Sequence, residues 1–276
     1  IAMTAIGAGA QARVEDQIRS LGSNLIIVLP GNVTSGGVRM GSGAQLTLSE
    51  DDAAALPREV AEIEVAAPQL RGGGQVVFGN SNWSTQILGV TPDYLVAREW
   101  EVTSGRPLTG ADVEGASKVV LVGQTVARTL FGESDPVGET IRIRNVPHEI
   151  VGLLDRKGQS MIGQDQDDVV LIPISTARKR VRGGQQVRAR NVGTITVKVR
   201  QGADVSSAEQ QMRELLRQRH KLQPNQEDDF FVRNLSEVLA AQEASSKVLA
   251  ILLAAIASVS LVVGGIGIMN IMLVSV

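Results

Sequence analysis

The last 29 residues, Val248 to Val276, carry no charged side chain. As a helix rising about 1.5 Å per residue, that run is roughly 43 Å long, against roughly 30 Å of bilayer hydrocarbon. Core helices of soluble domains rarely stay uncharged beyond about 14 residues. VLAILLAAIASVSLVVGGIGIMNIMLVSV is therefore expected to form a transmembrane helix. Small residues recur in it at helical spacing: Ala250, Ala254 and Ser258 lie four apart, as do Ser260 and Gly264, with Gly265 and Gly267 close by. Such rows let a second helix approach closely in lipid, where association rests on packing rather than on water exclusion. These small residues are the candidate helix-packing face.

The opposite end, IAMTAIGAGAQA, is uncharged until Arg13. It is too short to span, has no basic leader, and is expected to be the outgoing end of a first span, residues 1–12. All charge lies between Arg13 and Lys247, so the expected topology is a large soluble body held between two spans. Basic and acidic residues nearly cancel, 27 against 29, which argues against a general nucleic-acid binder. The absence of cysteine excludes disulfides, thiolate metal sites and a cysteine nucleophile.

Within the body, hydrophobic periodicity outlines two strand-helix-strand units. In the first, the apolar run Leu25–Leu29 reads as a buried strand, Ser49–Leu56 as a short capped helix and Glu62–Leu70 as a strand. Between them, 31–45 is a Gly/Ser-rich loop. In the second, Thr194–Val199 alternates as a half-buried strand, Ser206–His220 reads as a helix opened by a Ser206/Glu209 capping box, and Phe230–Val232 begins the return strand. Two such units packed together predict an α+β split βαβ, porter-like lobe, built from 13–71 and 191–235. Residues 72–190 read differently. Short strands near Gln75–Phe78, Gln86–Val90, Lys118–Val122, Thr140–Ile143, His148–Leu154 and Val169–Ile172, with helices at Pro92–Glu99 and Gln124–Phe131, predict an inserted, mixed but mostly β distal lobe. Asn234 and Glu237 are spaced as another capping box, and neither Gly nor Pro intervenes before Gly264. A stalk helix, 236–247, is thus expected to run unbroken into the span at 248–276.

No catalytic constellation emerges. His148 and His220 are the only histidines and sit in no metal-binding spacing. Asp165, Asp167 and Asp168 offer oxygen ligands for a hard cation, but the EF-hand glycine and distal glutamate are missing, and a solvated loop is the simpler reading. The basic residues Arg178, Lys179, Arg180, Arg182, Arg188 and Arg190 could face an acidic partner or lipid headgroups, or simply water. Trp83 and Trp100 suit either a contact surface or the core. No phosphate-binding loop is present, so ATP hydrolysis is expected on another domain or chain, and no enzyme activity, cofactor or metal is expected of this one.

The closing stretch SLVVGGIGIMNIMLVSV resembles the second transmembrane helix of MacB-type ABC transporter permeases, of the FtsX-like superfamily. LGSNLIIVLPG (21–31), GVTPDY (89–94), GLLDRKGQSMIGQDQDDVVLIPISTARKRV (152–181) and NVGTITVKVRQG (191–202) resemble that family's periplasmic core. The resemblance implies a dimeric exporter of the bacterial inner membrane with its soluble lobes in the periplasm. It implies ATP-driven motion passed through stalk helices, a cytoplasmic ATPase domain, and a homodimeric or paralogous permease partner. It further implies, for some members, a periplasmic adaptor and an outer-membrane duct, with loops 31–45 and 163–168 as candidate contacts. Macrolides, peptides or lipoproteins are the implied cargo. The alternative readings are an extracytoplasmic ligand-sensing domain between two spans and a membrane-tethered hydrolase.

Overall fold

The computed structural model describes residues 24–31, 33–35, 38–40, 46–160, 163–181 and 190–234, with scattered positions between Ser245 and Val263. The chain divides into two compact units, Ile1–Asn234 and Leu235–Val276.

In the first unit, strands β1 (Leu25–Pro30), β4 (Ile63–Phe78), β11 (Thr194–Val199) and β12 (Phe230–Asn234) form an antiparallel sheet portion in the order β12-β1-β11-β4. Helix α1 (Glu50–Glu59) connects β1 to β4, and α6 (Val205–Arg219) connects β11 to β12. Each helix therefore joins two strands that have another strand between them, and the two units interleave. Ala53 and Leu56 of α1 and Ala208, Met212 and Leu216 of α6 share one core with Ile26, Val28, Ile195, Val197 and Phe230. The spacing of the α6 positions, i, i+4 and i+8, is what places them on one stripe. Thus far the expected elements recur, with one shift: α6 is capped by Asp204, whose side chain accepts from the Ser206 amide, not by Ser206. The loop after β1 holds a small hairpin of β2 (Val33–Ser35) and β3 (Val38–Met40).

The remaining strands are β5 (Ser81–Val90), β6 (Val102–Gly105), β7 (Val119–Val122), β8 (Thr140–Ile143), β9 (Val146–Leu154) and β10 (Val169–Pro173). Short helices α2 (Asp93–Ala97), α3 (Gly110–Glu114), α4 (Gln124–Phe131) and α5 (Ile174–Thr176) join them, α5 running on into a π-helical turn, Ala177–Val181. Six strands close on themselves: β4 pairs β5, β5 pairs β10, β10 pairs β7, β7 pairs β9, β9 pairs β8, and β8 returns to β4. A ring this small is filled by side chains. Val76, Ile87, Val120, Ile141, Ile143 and Ile150 belong to one cluster, with Val126 and Leu130 of α4 packed against them. A second cluster unites Leu88, Leu121 and Leu171 with Tyr94 and Leu95 of α2 and with Trp100.

Strand β4 corrects the sequence reading. Glu62–Leu70 and Gln75–Phe78 are not two strands but parts of one strand of 16 residues. Its first half pairs with β11, ending at Gln69 opposite Thr194, and near its end Val76 and Val77 pair with β8 on the same side. The switch falls at Gly72-Gly73-Gly74. Glycine triplets suggest a turn, yet inside a strand they also permit a sharp bend at a barrel corner. Arg144 donates to the Gly73 carbonyl at 2.7 Å, and a Cβ on Gly74 would lie 2.7 Å from Ile87 Cδ1.

Because β8 is the strand that closes the ring, thinning its inward side should be costly. Ile143→Ala is expected to lower unfolding free energy by about 2–5 kcal/mol, as for other buried aliphatic truncations. Thr140→Ala, on the exposed side of the same strand, should change it by less than about 0.5 kcal/mol. Chemical denaturation of both variants checks this.

Candidate functional site

The second unit holds the expected helix-packing residues. Ala250, Ala254 and Ser258 are helical and exposed, and Ser258 Oγ donates back to the Ala254 carbonyl at 2.7 Å. Val248, Ile251, Leu252 and Val263 are helical and exposed as well. Ser260, Gly264, Gly265 and Gly267 lie outside the described residues, as do Arg182, Arg188 and the capping residue Glu237. No helix among the described residues is long and apolar enough to cross a membrane.

In the first unit, the functional geometry gathers where the chain is fed into β12. His220 closes the C-terminal end of α6, where a helix favours a positive charge. Its Nδ1 lies 2.7 Å from Asp229 Oδ1 and its Nε2 3.3 Å from Asp52 Oδ2. With a carboxylate at each ring nitrogen, both nitrogens must donate, so the ring is an imidazolium. Burial opposes that charge, but the bonds to Asp229 and Asp52 more than reverse the effect and raise the pKa to about 9. Asp52 is buried as well, which by itself favours its neutral form. Donation from His220, Ser49 and Arg219 overrides this and holds it far below the ordinary carboxylate range. Asp52 is also the third residue of α1, where it closes a capping box with Ser49. One carboxylate thus caps α1 and ties it to the end of α6.

The loop after α6 is held by arginines. Arg213 and Arg217 both bind Asp228, and Arg217 also donates to the Gln223 and Gln226 carbonyls at 2.8 and 3.1 Å. The Asp229 carbonyl accepts from Gly31 N and Thr47 Oγ1 at 2.8 and 2.7 Å. A Cβ on Gly31 would sit 2.6 Å from the Asp229 carbonyl carbon, so this approach requires glycine.

Some of the charged residues singled out in the sequence pair with remote elements of the first unit. Arg178 binds Glu50, and Arg190 reaches Glu50 and Asp51 at 3.3 and 3.2 Å. Asp165 accepts from Thr125 and Asp168 from Trp83, while buried Asp167 accepts the amides of Lys157 and Gly158. No group of three or more metal-ligating side chains occurs among the described residues. Trp100 is core, its indole donating to the Asp155 carbonyl at 2.7 Å, whereas Trp83 is 36 % exposed. His148 is fully buried. The sequence reading missed the role of His220. Its one usable signal was a histidine at a predicted helix end with two aspartates nearby, a pattern too common to act on.

The sheet-rich α+β fold is that of a class, the periplasmic domain of a transporter permease. The chain matches the model of the MacB-like periplasmic core domain over residues 1–215. It is 40% identical to the macrolide export ATP-binding/permease protein MacB of Bdellovibrio bacteriovorus, over 100% of this chain and 42% of that protein. With the protein of the same name from Rhodospirillum rubrum it is 39% identical over 100% of this chain and 40% of that protein. It superimposes on the periplasmic region of MacB from Actinobacillus actinomycetemcomitans with a TM-score of 0.65 at 25% identity, covering 84% of this chain and 98% of that one. The extracellular domain of the ABC-type transporter YknZ from Gram-positive bacteria shares the fold, with a TM-score of 0.57 at 17% identity over 76% of this chain and 100% of that one. The chain belongs to the MacB-like periplasmic core domain family. It spans less than half the length of the curated relatives named above.

The His220 bridge fixes the sign of a pH dependence. A pKa raised from 6.5 to about 9 adds stability that is complete below pH 6.5 and lost as pH rises through 9. The depressed Asp52 adds stability that is present above the normal carboxylate pKa and lost in acid. His220→Gln should lower stability at pH 6 by about 1–2 kcal/mol and flatten the decline between pH 6.5 and 9. Thermal unfolding across that range measures both effects.

Proposed function

We propose that this chain is the periplasmic core and following transmembrane helix of an ABC exporter permease, carrying ATP-driven movement into the periplasm. In this reading the β12-β1-β11-β4 portion with α1 and α6 is a split βαβ, porter-like lobe near the membrane. The closed ring and its helices, 72–190, form the distal lobe. Residues 236–247 are a stalk, 248–276 a span, and Ala250, Ala254, Ser258, Ser260, Gly264, Gly265 and Gly267 its packing face. The partners are a second copy or a paralogous permease, a cytoplasmic ATPase domain, and an adaptor with an outer-membrane duct. The cargo is of macrolide, peptide or lipoprotein type, of which only macrolides appear in the names of the relatives, and the location is the bacterial inner membrane.

The supporting observation is the anchoring of β12. Asn234 ends a strand paired along its length with β1, and the loop that feeds it is pinned by Arg213, Arg217 and His220. A displacement applied beyond Asn234 would be delivered to the sheet, not absorbed by a slack loop. The ligand-sensing alternative gains no comparable observation.

A flexible Gly-Ser insertion near Gln242, made in the complete transporter, is expected to leave ATP hydrolysis intact while abolishing export. Export that survives the insertion contradicts a rigid transmitter. Ala254→Glu should lose assembly or export, because a carboxylate in that row blocks close approach and is costly in lipid. Undiminished export by that variant removes the packing face.

A further inference from the structure

Neither space nor backbone conformation requires a glycine at position 73. A Cβ there would meet nothing within 4 Å, and its φ lies outside the left-handed region. A glycine inside a strand nonetheless weakens it, because glycine gives up the most conformational freedom on folding. What it keeps at such a place is the freedom to bend. Gly74 differs, since Ile87 leaves no room there for a side chain.

The ladder is thin around this point. On one side of β4 the Gln69 carbonyl accepts from Gly193 N and the Gln75 carbonyl from Arg144 N. Among the described residues, no strand pairs with 70–74 on that side, and beyond them β8 pairs only with Val76 and Val77. The neighbouring strand β5 pairs with β10 from Gln86 onward, so its first part, 81–85, has β4 as its one strand partner among the described residues. The end of the β4–β5 hairpin, 75–84, is therefore an arm joined to β8 by two residue pairs. Its inner face carries the fully buried Val76 and also Phe78, whose ring centroid lies 4.1 Å from that of Phe131 on α4.

Two side chains hold the arm down. Arg144 and Asn145, with φ of 47° and 67°, make the two-residue turn between β8 and β9. From that turn Arg144 Nη2 donates to the Gly73 carbonyl at 2.7 Å, in the middle of the stretch that β11 and β8 leave unpaired. Nearer the tip, Trp83 Nε1 donates to Asp168 Oδ1 at 2.8 Å. Both bonds are exposed, so water can replace either at small net cost.

We propose that residues 75–84 are a flap, hinged at Gly72–Gly74 and latched by Arg144 and Trp83. Opening swings Val76 and Phe78 away from α4 and breaks the two pairs to β8, while the β4–β5 ladder stays whole. It uncovers Phe131 and one end of the ring interior. Such a partial opening needs far less exposure than unfolding the ring. The flap does not depend on the export reading.

The chain has no cysteine, so single thiols report the motion cleanly. Val76 and Val170 are fully buried in the same cluster, one on the flap and the other on β10. With the full chain in detergent, Val76→Cys should react with a maleimide at least tenfold faster than Val170→Cys. Its rate should depend little on urea below the unfolding transition, as an opening that exposes little surface does. Adding Trp83→Phe or Arg144→Met should raise the Val76→Cys rate at least threefold and leave that of Val170→Cys unchanged. Adding Gly73→Ala, whose methyl group fits without contact, should slow it by about two- to fivefold. Equal rates for the two thiols, or a steep urea dependence of the Val76→Cys rate, overturn the flap. A rate that Gly73→Ala leaves unchanged or raises overturns the hinge. Latch variants that leave the Val76→Cys rate unchanged, or that speed both thiols alike, overturn the latch.

Discussion

A strand edge can hydrogen-bond one neighbour at a time, and β4 is long enough to serve two in succession. Along one side it pairs with β11 up to Gln69 and with β8 at Val76 and Val77, while β5 holds the other side from Gln69 to Phe78. The open sheet portion and the closed ring therefore share a backbone ladder and are not joined by a linker. Pulling them apart requires breaking consecutive ladder bonds, not merely surface contacts. Gly72, Gly73 and Gly74 make the join feasible, since a side chain at Gly74 would meet Ile87 where the edge changes partner. Ion pairs cross the same join, Arg178 to Glu50 and Lys198 to Glu99. Partly exposed pairs contribute about 0–1 kcal/mol each, so they orient the two parts while the ladder holds them.

Electrostatics is concentrated at the other critical point, the entry to β12. The carboxylates of α1 and of the 228–229 loop meet the basic end of α6, where the helix termini already favour those signs of charge. Asp52 takes part in a capping box and in the bridge to α6, so local helix formation and tertiary packing depend on the same side chain. Losing such a residue damages both at once, which makes the contributions of Asp52 and His220 non-additive.

Legibility in the sequence followed the range of the interaction. Helices α1, α4 and α6 and strands β1, β8, β10 and β11 were readable because their periodicity and caps are local. The family resemblance was readable from long contiguous runs. The unity of β4 was not, because Gly72–Gly74 have the local signature of a turn and only the partners β5, β8 and β11 make them strand. Ring closure was hidden for the same reason: β8 is four residues long, and its pairing with β4 joins positions more than sixty residues apart. Short elements such as β6 and α3 carry too little pattern to stand out. The charged runs gave no sign of their partners. Arg178, Arg190, Asp165 and Asp168 bind Glu50, Asp51, Thr125 and Trp83, which come from remote segments, while Asp165 and Arg190 stay exposed to water as read.

These constraints bear on how a body of this kind could do work. Under the proposed function, movement enters beyond Asn234, next to a strand hydrogen-bonded across five residue pairs to β1. From β1 the ladder continues through β11 to β4, and β4 passes without interruption into the ring. Strands in register resist shear because a slip of one residue turns every inward side chain outward, and here Val76, Ile87 and Ile143 would leave a filled interior. Sliding of the open sheet portion against the ring is therefore costly. Under that proposal, a power stroke would move the open sheet portion and the ring without such a slip.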